Sequence, residues 1–176
     1  MEIKPIEKKW LKSYCSLELI DNKIVKHFHR NFPTHLDEEW LFHYNEFRNI
    51  NSTPVKIYEV NDKSIVMDYV PGSTTAIQWI YKKGTSQGRL SKLSAHIHRL
   101  CADMLDYSEK HKKLFYHEDL NLSNFMIYDN KITLVDPESF IFGRSINYNA
   151  LLQPHLNISK VAHKIFENTI SQTKFY

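Results

Sequence analysis

Residues 115–140, FYHEDLNLSNFMIYDNKITLVDPESF, constrain the fold of this chain more than any other segment. Four apolar residues at 125–128 precede Asp129-Asn130, a dipeptide typical of tight hairpin turns. A second apolar run follows at 132–135. The segment therefore predicts a β-hairpin with a two-residue turn.

Side chains that bear oxygen flank this predicted hairpin. Asn124 directly precedes the first strand, and Asp136 directly follows the second. Because both strands of a hairpin open toward the same side, we expect these two side chains at one rim. Asp119 adds a carboxylate five residues before Asn124. This spacing predicts a magnesium and phosphate site beside a general base. The alternative is that Asp119 and Asn124, like Asp129 and Asn130, are turn formers around an ordinary hairpin.

The pattern H-x-D-x-x-x-x-N, then a hairpin, then an apolar-apolar-Asp triplet, resembles the catalytic and metal-binding segments of the protein-kinase-like superfamily. Asp-Leu-Asn after the histidine is especially similar to lipopolysaccharide kinases, aminoglycoside phosphotransferases and related small atypical kinases. The resemblance implies that Asp119 orients and deprotonates an acceptor hydroxyl. It also implies that Asn124 and Asp136 hold Mg²⁺, and that His117 braces the loop.

The same resemblance implies a lysine on the phosphates of ATP, steadied by a carboxylate on the next helix. Lys26 is our choice, because it follows an apolar pair on a predicted strand. Residues 34–50 have helical apolar spacing, and Glu39 is the preferred partner, with Glu38 and Glu46 as competitors. The alternatives are an exposed strand lysine and a first-turn acid that compensates the helix dipole.

The segment IVMDYVPG resembles the link between the two lobes of such enzymes. The resemblance implies that the backbone of Asp68, Tyr69 and Val70 faces an adenine ring. Residues 71–73, Pro-Gly-Ser, then mark a hinge that lets the lobes close over a nucleotide. By itself, this tripeptide is also typical of a surface turn.

The chain departs from regulated protein kinases in several ways. No glycine-rich loop precedes Lys26, Glu118 stands where many such kinases have arginine, and Pro-Glu-Ser follows Asp136 instead of Phe-Gly. Repulsion at Glu118 argues against control by a phosphorylated activation loop. These features favour a small-molecule or sugar acceptor over a peptide.

The fold predicted from these patterns is α+β, a minimal two-lobed protein-kinase-like fold. The N-lobe, residues 1–70, combines a small antiparallel sheet with one helix, and the truncated C-lobe, residues 71–176, is mostly helical. A chain of 176 residues with 42% hydrophobic residues suffices for one core, or for one core split into two small lobes. The predicted elements are a hairpin at 14–28, strands at 55–60 and 64–69, and helices at 34–50, 75–82, 89–106, 146–152 and 158–169. Thr34 is the predicted helix cap.

Composition sets further expectations. A net charge of +3 is too weak to indicate nucleic-acid binding. Cys15 and Cys101 are distant in sequence and predict reduced thiols. The charged amino terminus lacks the apolar core of a signal peptide, and no apolar run approaches membrane-spanning length. We therefore expect a cytoplasmic protein.

Three functions remain open from sequence. The first is an ATP- and magnesium-dependent kinase-like phosphotransferase, a transferase acting on a hydroxyl-bearing acceptor. The second is a pseudokinase or kinase-derived binding module that acts on a partner protein. The third is a small serine/threonine protein kinase of viral type. With 23 aromatic residues on short lobes, we also allow for apolar surface that binds a protein partner or a second copy.

Overall fold

The structure is a computed structural model that describes residues 8–12, 14–29, 33–81 and 87–143. This part of the chain is α+β with antiparallel sheets, as predicted, and none of its helices is long and apolar enough to cross a membrane. The helices are α1 (Glu38–Ile50), α2 (Ala76–Tyr81) and α3 (Gln87–His111). The strands are β1 (Lys8–Leu11), β2 (Cys15–Ile20), β3 (Lys23–Phe28), β4 (Ile57–Asn61), β5 (Ser64–Asp68), β6 (Thr74–Thr75), β7 (Phe115–His117), β8 (Phe125–Tyr128), β9 (Lys131–Leu134) and β10 (Phe140–Phe142). The helices predicted at 146–152 and 158–169 lie outside the described residues.

The described residues form two compact units, and the chain passes between them three times. The first unit contains the residues up to Thr74 together with Phe125–Glu138. The second contains the residues from Thr75 to Asn124 and those from Ser139 onward. We predicted a division at residue 70 with the 125–136 hairpin in the second part. The structure moves the division to Thr74 and places this hairpin in the first unit.

A five-stranded antiparallel sheet forms most of the described first unit, in the order β1-β2-β3-β5-β4. Asp21 and Asn22 join β2 to β3 with backbone φ angles of 51° and 55°. Aspartate and asparagine tolerate this left-handed conformation, which a tight hairpin turn requires. The prediction of this hairpin is confirmed, whereas β1 was not predicted.

One face of this sheet is apolar and buried, with a lysine at its centre. Lys26 on β3 lies opposite Leu17 on β2 and Ile65 on β5. Ile24, two residues earlier on β3, lies opposite Met67. Residues directly opposite each other project to the same side, and alternate residues of a strand share a face. Lys26 therefore projects among buried apolar side chains.

Helix α1 begins later than predicted. Its cap is Asp37, whose carboxylate accepts a hydrogen bond from the Trp40 N–H at 2.8 Å, so the prediction of Thr34 as cap is wrong. Aspartate is the better cap where two candidates lie three residues apart. Within the helix, Trp40 and Tyr44 are buried and stacked. The Tyr44 hydroxyl donates to the Val55 carbonyl at 2.6 Å, which ties α1 to the segment before β4.

The β8–β9 hairpin has the predicted turn, with positive φ angles of 46° at Asp129 and 60° at Asn130. Its second strand also bonds to a distant part of the first unit. The Leu134 N–H donates to the Thr53 carbonyl at 2.8 Å, and the Val55 N–H donates to the Leu134 carbonyl at 2.9 Å. These backbone bonds explain why the hairpin belongs to the first unit.

The described second unit is built around α3, which extends beyond the predicted 89–106. Ile97, Leu100 and Met104 are buried on one side of this helix, at the spacing of an amphipathic helix. Near the end of α3, the Ser108 hydroxyl accepts a hydrogen bond from the Phe115 N–H at 2.8 Å and so fixes the start of β7. Strand β7 pairs antiparallel with β10.

Both cysteines are free thiols and are buried, Cys15 in the first unit and Cys101 in the second. Burial raises the pKa of Cys101 to about 12. Burial also raises the pKa of Cys15, although the nearby Lys26 ammonium opposes the shift. Neither thiol is therefore predisposed to form a thiolate.

Candidate functional site

Lys26 is almost completely buried, with 1% of its surface exposed. Its Nζ donates to Asp136 Oδ1 at 2.8 Å, across 110 residues of sequence. The same Nζ contacts Glu138 Oε1. The rings of Tyr14 and Phe28 lie 5.8 and 5.6 Å from the ammonium. The alternative of an exposed strand lysine does not hold, because the ammonium is enclosed by two carboxylates and two aromatic rings.

The charge of Lys26 is maintained by its partners. Burial disfavours the ammonium, yet the carboxylates of Glu138 and Asp136 outweigh burial and raise the pKa of Lys26 above its ordinary value. For Glu138, burial has the largest effect and raises the pKa of its carboxyl, although the Lys26 charge opposes the shift. We conclude that Lys26 stays protonated, because the carboxylates of Asp136 and Glu138 both contact its ammonium.

Asp136 lies two residues after the end of the β8–β9 hairpin and has a left-handed backbone, with φ of 62°. Few residues other than glycine adopt this conformation, although aspartate tolerates it better than most. Such backbone conformations recur at functional sites, where surrounding contacts maintain them. The bond to Lys26 Nζ is one such contact.

Glu138 is the site residue that sequence analysis missed. Its side chain is 12% exposed, and its backbone carbonyl lies 2.9 Å from His35 Nε2. Its Oε2 is buried and has no hydrogen-bond partner among the residues that the structure describes. The available signal was the Pro-Glu-Ser that follows Asp136, in which an acidic residue lies two positions from a predicted metal ligand.

In the second unit, the predicted catalytic pair lies together. Asn124 Nδ2 donates to Asp119 Oδ2 at 2.9 Å and to the Asp119 carbonyl at 3.0 Å. Asn124 is buried at the end of a 3₁₀ turn, Leu122–Asn124, whereas Asp119 is exposed. A buried amide thus holds a solvent-accessible carboxylate in place.

His117 is completely buried at the end of β7, directly before this loop. Its ring meets the Phe140 ring edge to face, with centroids 4.8 Å apart. The Glu118 N–H donates to the Ser139 carbonyl at 2.8 Å, so β7 is anchored on both sides of His117. The bracing role that we predicted for His117 remains a prediction.

The predicted adenine-facing segment follows β5. Asp68 ends this strand; its N–H donates to the Lys56 carbonyl at 2.9 Å, and its carboxylate accepts from the Tyr58 hydroxyl at 2.6 Å. The Tyr69 N–H donates to the Asn22 carbonyl at 3.4 Å. The Val70 carbonyl accepts from the Ser73 hydroxyl at 2.7 Å, while its N–H has no partner in the described residues. Val70 thus offers one backbone donor.

The structure does not bring Glu39 to Lys26. Glu39 and Glu38 are exposed in the first turn of α1, and Glu46 lies 3.9 Å from His43 Nδ1. Both carboxylates that contact Lys26 come instead from the segment after β9. The first-turn position explains this outcome, since acidic residues there compensate the positive end of the helix dipole.

The site residues therefore fall into two groups. Lys26, Asp136 and Glu138 form a buried cluster of charged groups in the first unit, whereas Asp119 and Asn124 form a hydrogen-bonded pair in the second. A scan against known protein families finds no match for this chain, and a search of curated proteins finds no significant match. Function must therefore be inferred from the chemistry of these two groups.

Proposed function

We propose that this protein is a kinase-like phosphotransferase that uses ATP and Mg²⁺ to phosphorylate a hydroxyl group. The main support is the 2.8 Å bond between Lys26 Nζ and Asp136 Oδ1. The same resemblance selected these residues from distant segments of the sequence, Lys26 for phosphate binding and Asp136 for metal binding. A lysine with a purely surface role would not be 1% exposed beside that aspartate.

The donor set suits the implied metal. The Asn124 amide nitrogen is committed to Asp119, which leaves its oxygen as an acceptor. Asp136 offers a carboxylate, and Mg²⁺ prefers oxygen ligands of both kinds. In the first unit Asp136 would be a ligand of the ion, which when bound would neutralise charge on the phosphates.

The chain's own residues supply the remaining steps. The exposed Asp119 carboxylate would accept the proton of the acceptor hydroxyl, and the Asn124 amide keeps that carboxylate oriented. The Lys26 ammonium would bind phosphate oxygens. The Val70 N–H would donate to the adenine edge. A small-molecule or sugar acceptor remains our preference, in a minimal two-lobed kinase-like fold.

Replacing the proposed base tests the proposal. Asp119→Ala should lower magnesium-dependent ATP turnover by at least about a hundredfold, with an unchanged circular dichroism spectrum. Asp106→Ala removes an exposed carboxylate from α3 in the same unit and serves as the matched control. Turnover by Asp119→Ala at the parent rate would show that Asp119 is not the base.

A second candidate is a kinase-derived binding module, and the burial of Lys26 favours it. With 1% exposure, the ammonium is already neutralised by two carboxylates. Thermal unfolding with ATP, with Mg²⁺ and with both separates the candidates. A rise in melting temperature only with both ligands supports the enzyme, and no rise with any combination supports the binding module.

A further inference from the structure

Among the described residues Lys26 has two carboxylate partners, and they are not equivalent. Asp136 is a predicted metal ligand and is 22% exposed, whereas Glu138 is 12% exposed. Under the proposed function, an Asp136 carboxylate that binds Mg²⁺ would interact less strongly with the Lys26 ammonium. The lysine then needs a second carboxylate to remain oriented.

The surroundings of Glu138 fit that task. His35 Nε2 lies 2.9 Å from its backbone carbonyl, which links the loop after Asp136 to the segment before α1. Its Oε1 contacts Lys26 Nζ, and its Oε2 is buried without a hydrogen-bond partner among the described residues. In the part of the chain that the structure describes, Lys26 is the one side chain to which the carboxylate of Glu138 bonds.

We infer that Glu138 is the positioning residue for Lys26, in place of a carboxylate on the following helix. This inference rests on the proposed function. Glu138 lies two residues from Asp136, so one short loop supplies both the predicted metal ligand and the carboxylate that orients the phosphate-binding lysine. The helix carboxylates Glu38 and Glu39, exposed in the first turn of α1, take no part.

The inference predicts a specific kinetic effect. Glu138→Gln keeps the shape and the oxygen that contacts Lys26 but removes the charge. Its KM for ATP should rise by about ten- to hundredfold, the effect known for residues that orient metal ligands, while kcat stays within about twofold. Glu138→Asp restores the charge on a shorter side chain and should recover part of the loss.

Two further variants make the comparison specific. Glu59→Gln makes the same chemical change at an exposed position of β4, in the same sheet as Lys26, and should leave KM unchanged. Glu39→Gln tests the helix carboxylate that the sequence favoured. A higher KM for ATP in Glu39→Gln, with no change in Glu138→Gln, would overturn the inference.

A magnesium titration at saturating ATP separates positioning from metal binding. Glu138→Gln should keep the half-saturating Mg²⁺ concentration of the parent, whereas Asp136→Asn should raise it. If Glu138→Gln raises the half-saturating Mg²⁺ concentration while KM for ATP is unchanged, Glu138 is a metal ligand and the inference is wrong.

If the parent protein shows no magnesium-dependent ATP turnover or binding, the proposed function fails and the inference fails with it. If the parent turns over ATP and the Glu138→Gln variant has the same KM for ATP, the inference is wrong but the proposed function stands.

Discussion

The side-chain nitrogen of Asn124 donates to both the carboxylate and the backbone carbonyl of Asp119, at 2.9 and 3.0 Å. One amide therefore closes the loop between these residues and fixes the direction of the Asp119 carboxylate. Because both acceptors are oxygens, they also determine which amide atom faces Asp119. The remaining oxygen of Asn124 is left for other ligands.

Asn124→Asp should disrupt this loop. The new carboxylate has no N–H to donate and lies beside the carboxylate of Asp119, so we expect a loss of about 2 kcal/mol in the free energy of unfolding. Urea unfolding measures the difference. Asn130→Asp, in the exposed turn of the β8–β9 hairpin, is the matched control, because aspartate tolerates positive φ. Equal stabilities of the two variants would contradict the bonding that we describe.

Lys26→Met should destabilise the first unit strongly. Methionine retains the volume of the lysine stem but removes the ammonium that lies beside Asp136 and Glu138. Removing one partner of a buried ion pair costs about 3–5 kcal/mol. Urea unfolding of Lys26→Met and of Lys131→Met, at an exposed end of β9, gives the comparison. If Lys26→Met loses no more free energy of unfolding than Lys131→Met, the cluster of Lys26, Asp136 and Glu138 is solvated.

Tyr44 should make the protein sensitive to alkali. Burial raises the pKa of its hydroxyl well above the ordinary value of 10.0, with smaller opposing and reinforcing effects from nearby charges. In the unfolded chain the hydroxyl ionises near its ordinary pKa, so above that pH the folded state binds more protons than the unfolded state. The stability from this group is complete below pH 10 and falls as pH rises above it.

The Tyr44→Phe variant isolates this effect. Phenylalanine removes the hydrogen bond to the Val55 carbonyl and should cost about 1–3 kcal/mol near neutral pH. The difference between parent and variant should narrow when urea unfolding is repeated at about pH 11. A difference that does not change with pH would mean that Tyr44 ionises equally in both states.

Asp37→Ala should weaken the start of α1. The Asp37 carboxylate caps the Trp40 N–H, and loss of such a cap costs about 1 kcal/mol. Thr34→Ala, at the exposed residue that the sequence favoured as cap, should have no measurable effect. Thermal unfolding of both variants decides between the two caps. A larger drop in melting temperature for Thr34→Ala than for Asp37→Ala would contradict Asp37 as the cap.

Gly72→Ala tests the backbone at the predicted hinge. Gly72 has a φ of 62°, and an added Cβ would lie 3.3 Å from Cε2 of Tyr128. Left-handed backbone costs a residue with a Cβ about 1–2 kcal/mol. Gly88→Ala is the control, because Gly88 lies in α3 with no atom within 4 Å of an added Cβ. We expect Gly72→Ala to lower the melting temperature and Gly88→Ala to maintain or raise it.

Local features of the fold were predictable from sequence. Both Asp-Asn turns, at Asp21-Asn22 and at Asp129-Asn130, have the positive φ angles that these residue types tolerate. The end of α1 at Ile50 was predicted as well. Its start was not, because Thr34 and Asp37 both suit a cap, and sequence does not show which side chain reaches a free N–H.

Features that depend on distant contacts were not predictable. The β8–β9 hairpin belongs to the first unit because Leu134 bonds to Thr53 and Val55, about eighty residues earlier, and no periodicity records that contact. The partner of Lys26 illustrates the same point. Glu39 was preferred among the acidic residues of the predicted helix, whereas the observed partner Glu138 comes from beyond the hairpin.

The bonds from Leu134 to Thr53 and Val55 also affect how the protein is made. A ribosome releases the whole segment from Thr75 to Asn124 before the hairpin that completes the first unit. Until then the nascent sheet contains Lys26 without Asp136 or Glu138, a cation on an otherwise apolar face. Contacts of such long sequence separation form late in folding. The first unit therefore cannot finish folding until the residues up to Glu138 have been synthesised, and a fragment ending at Thr74 lacks both carboxylates that contact Lys26 in the whole chain.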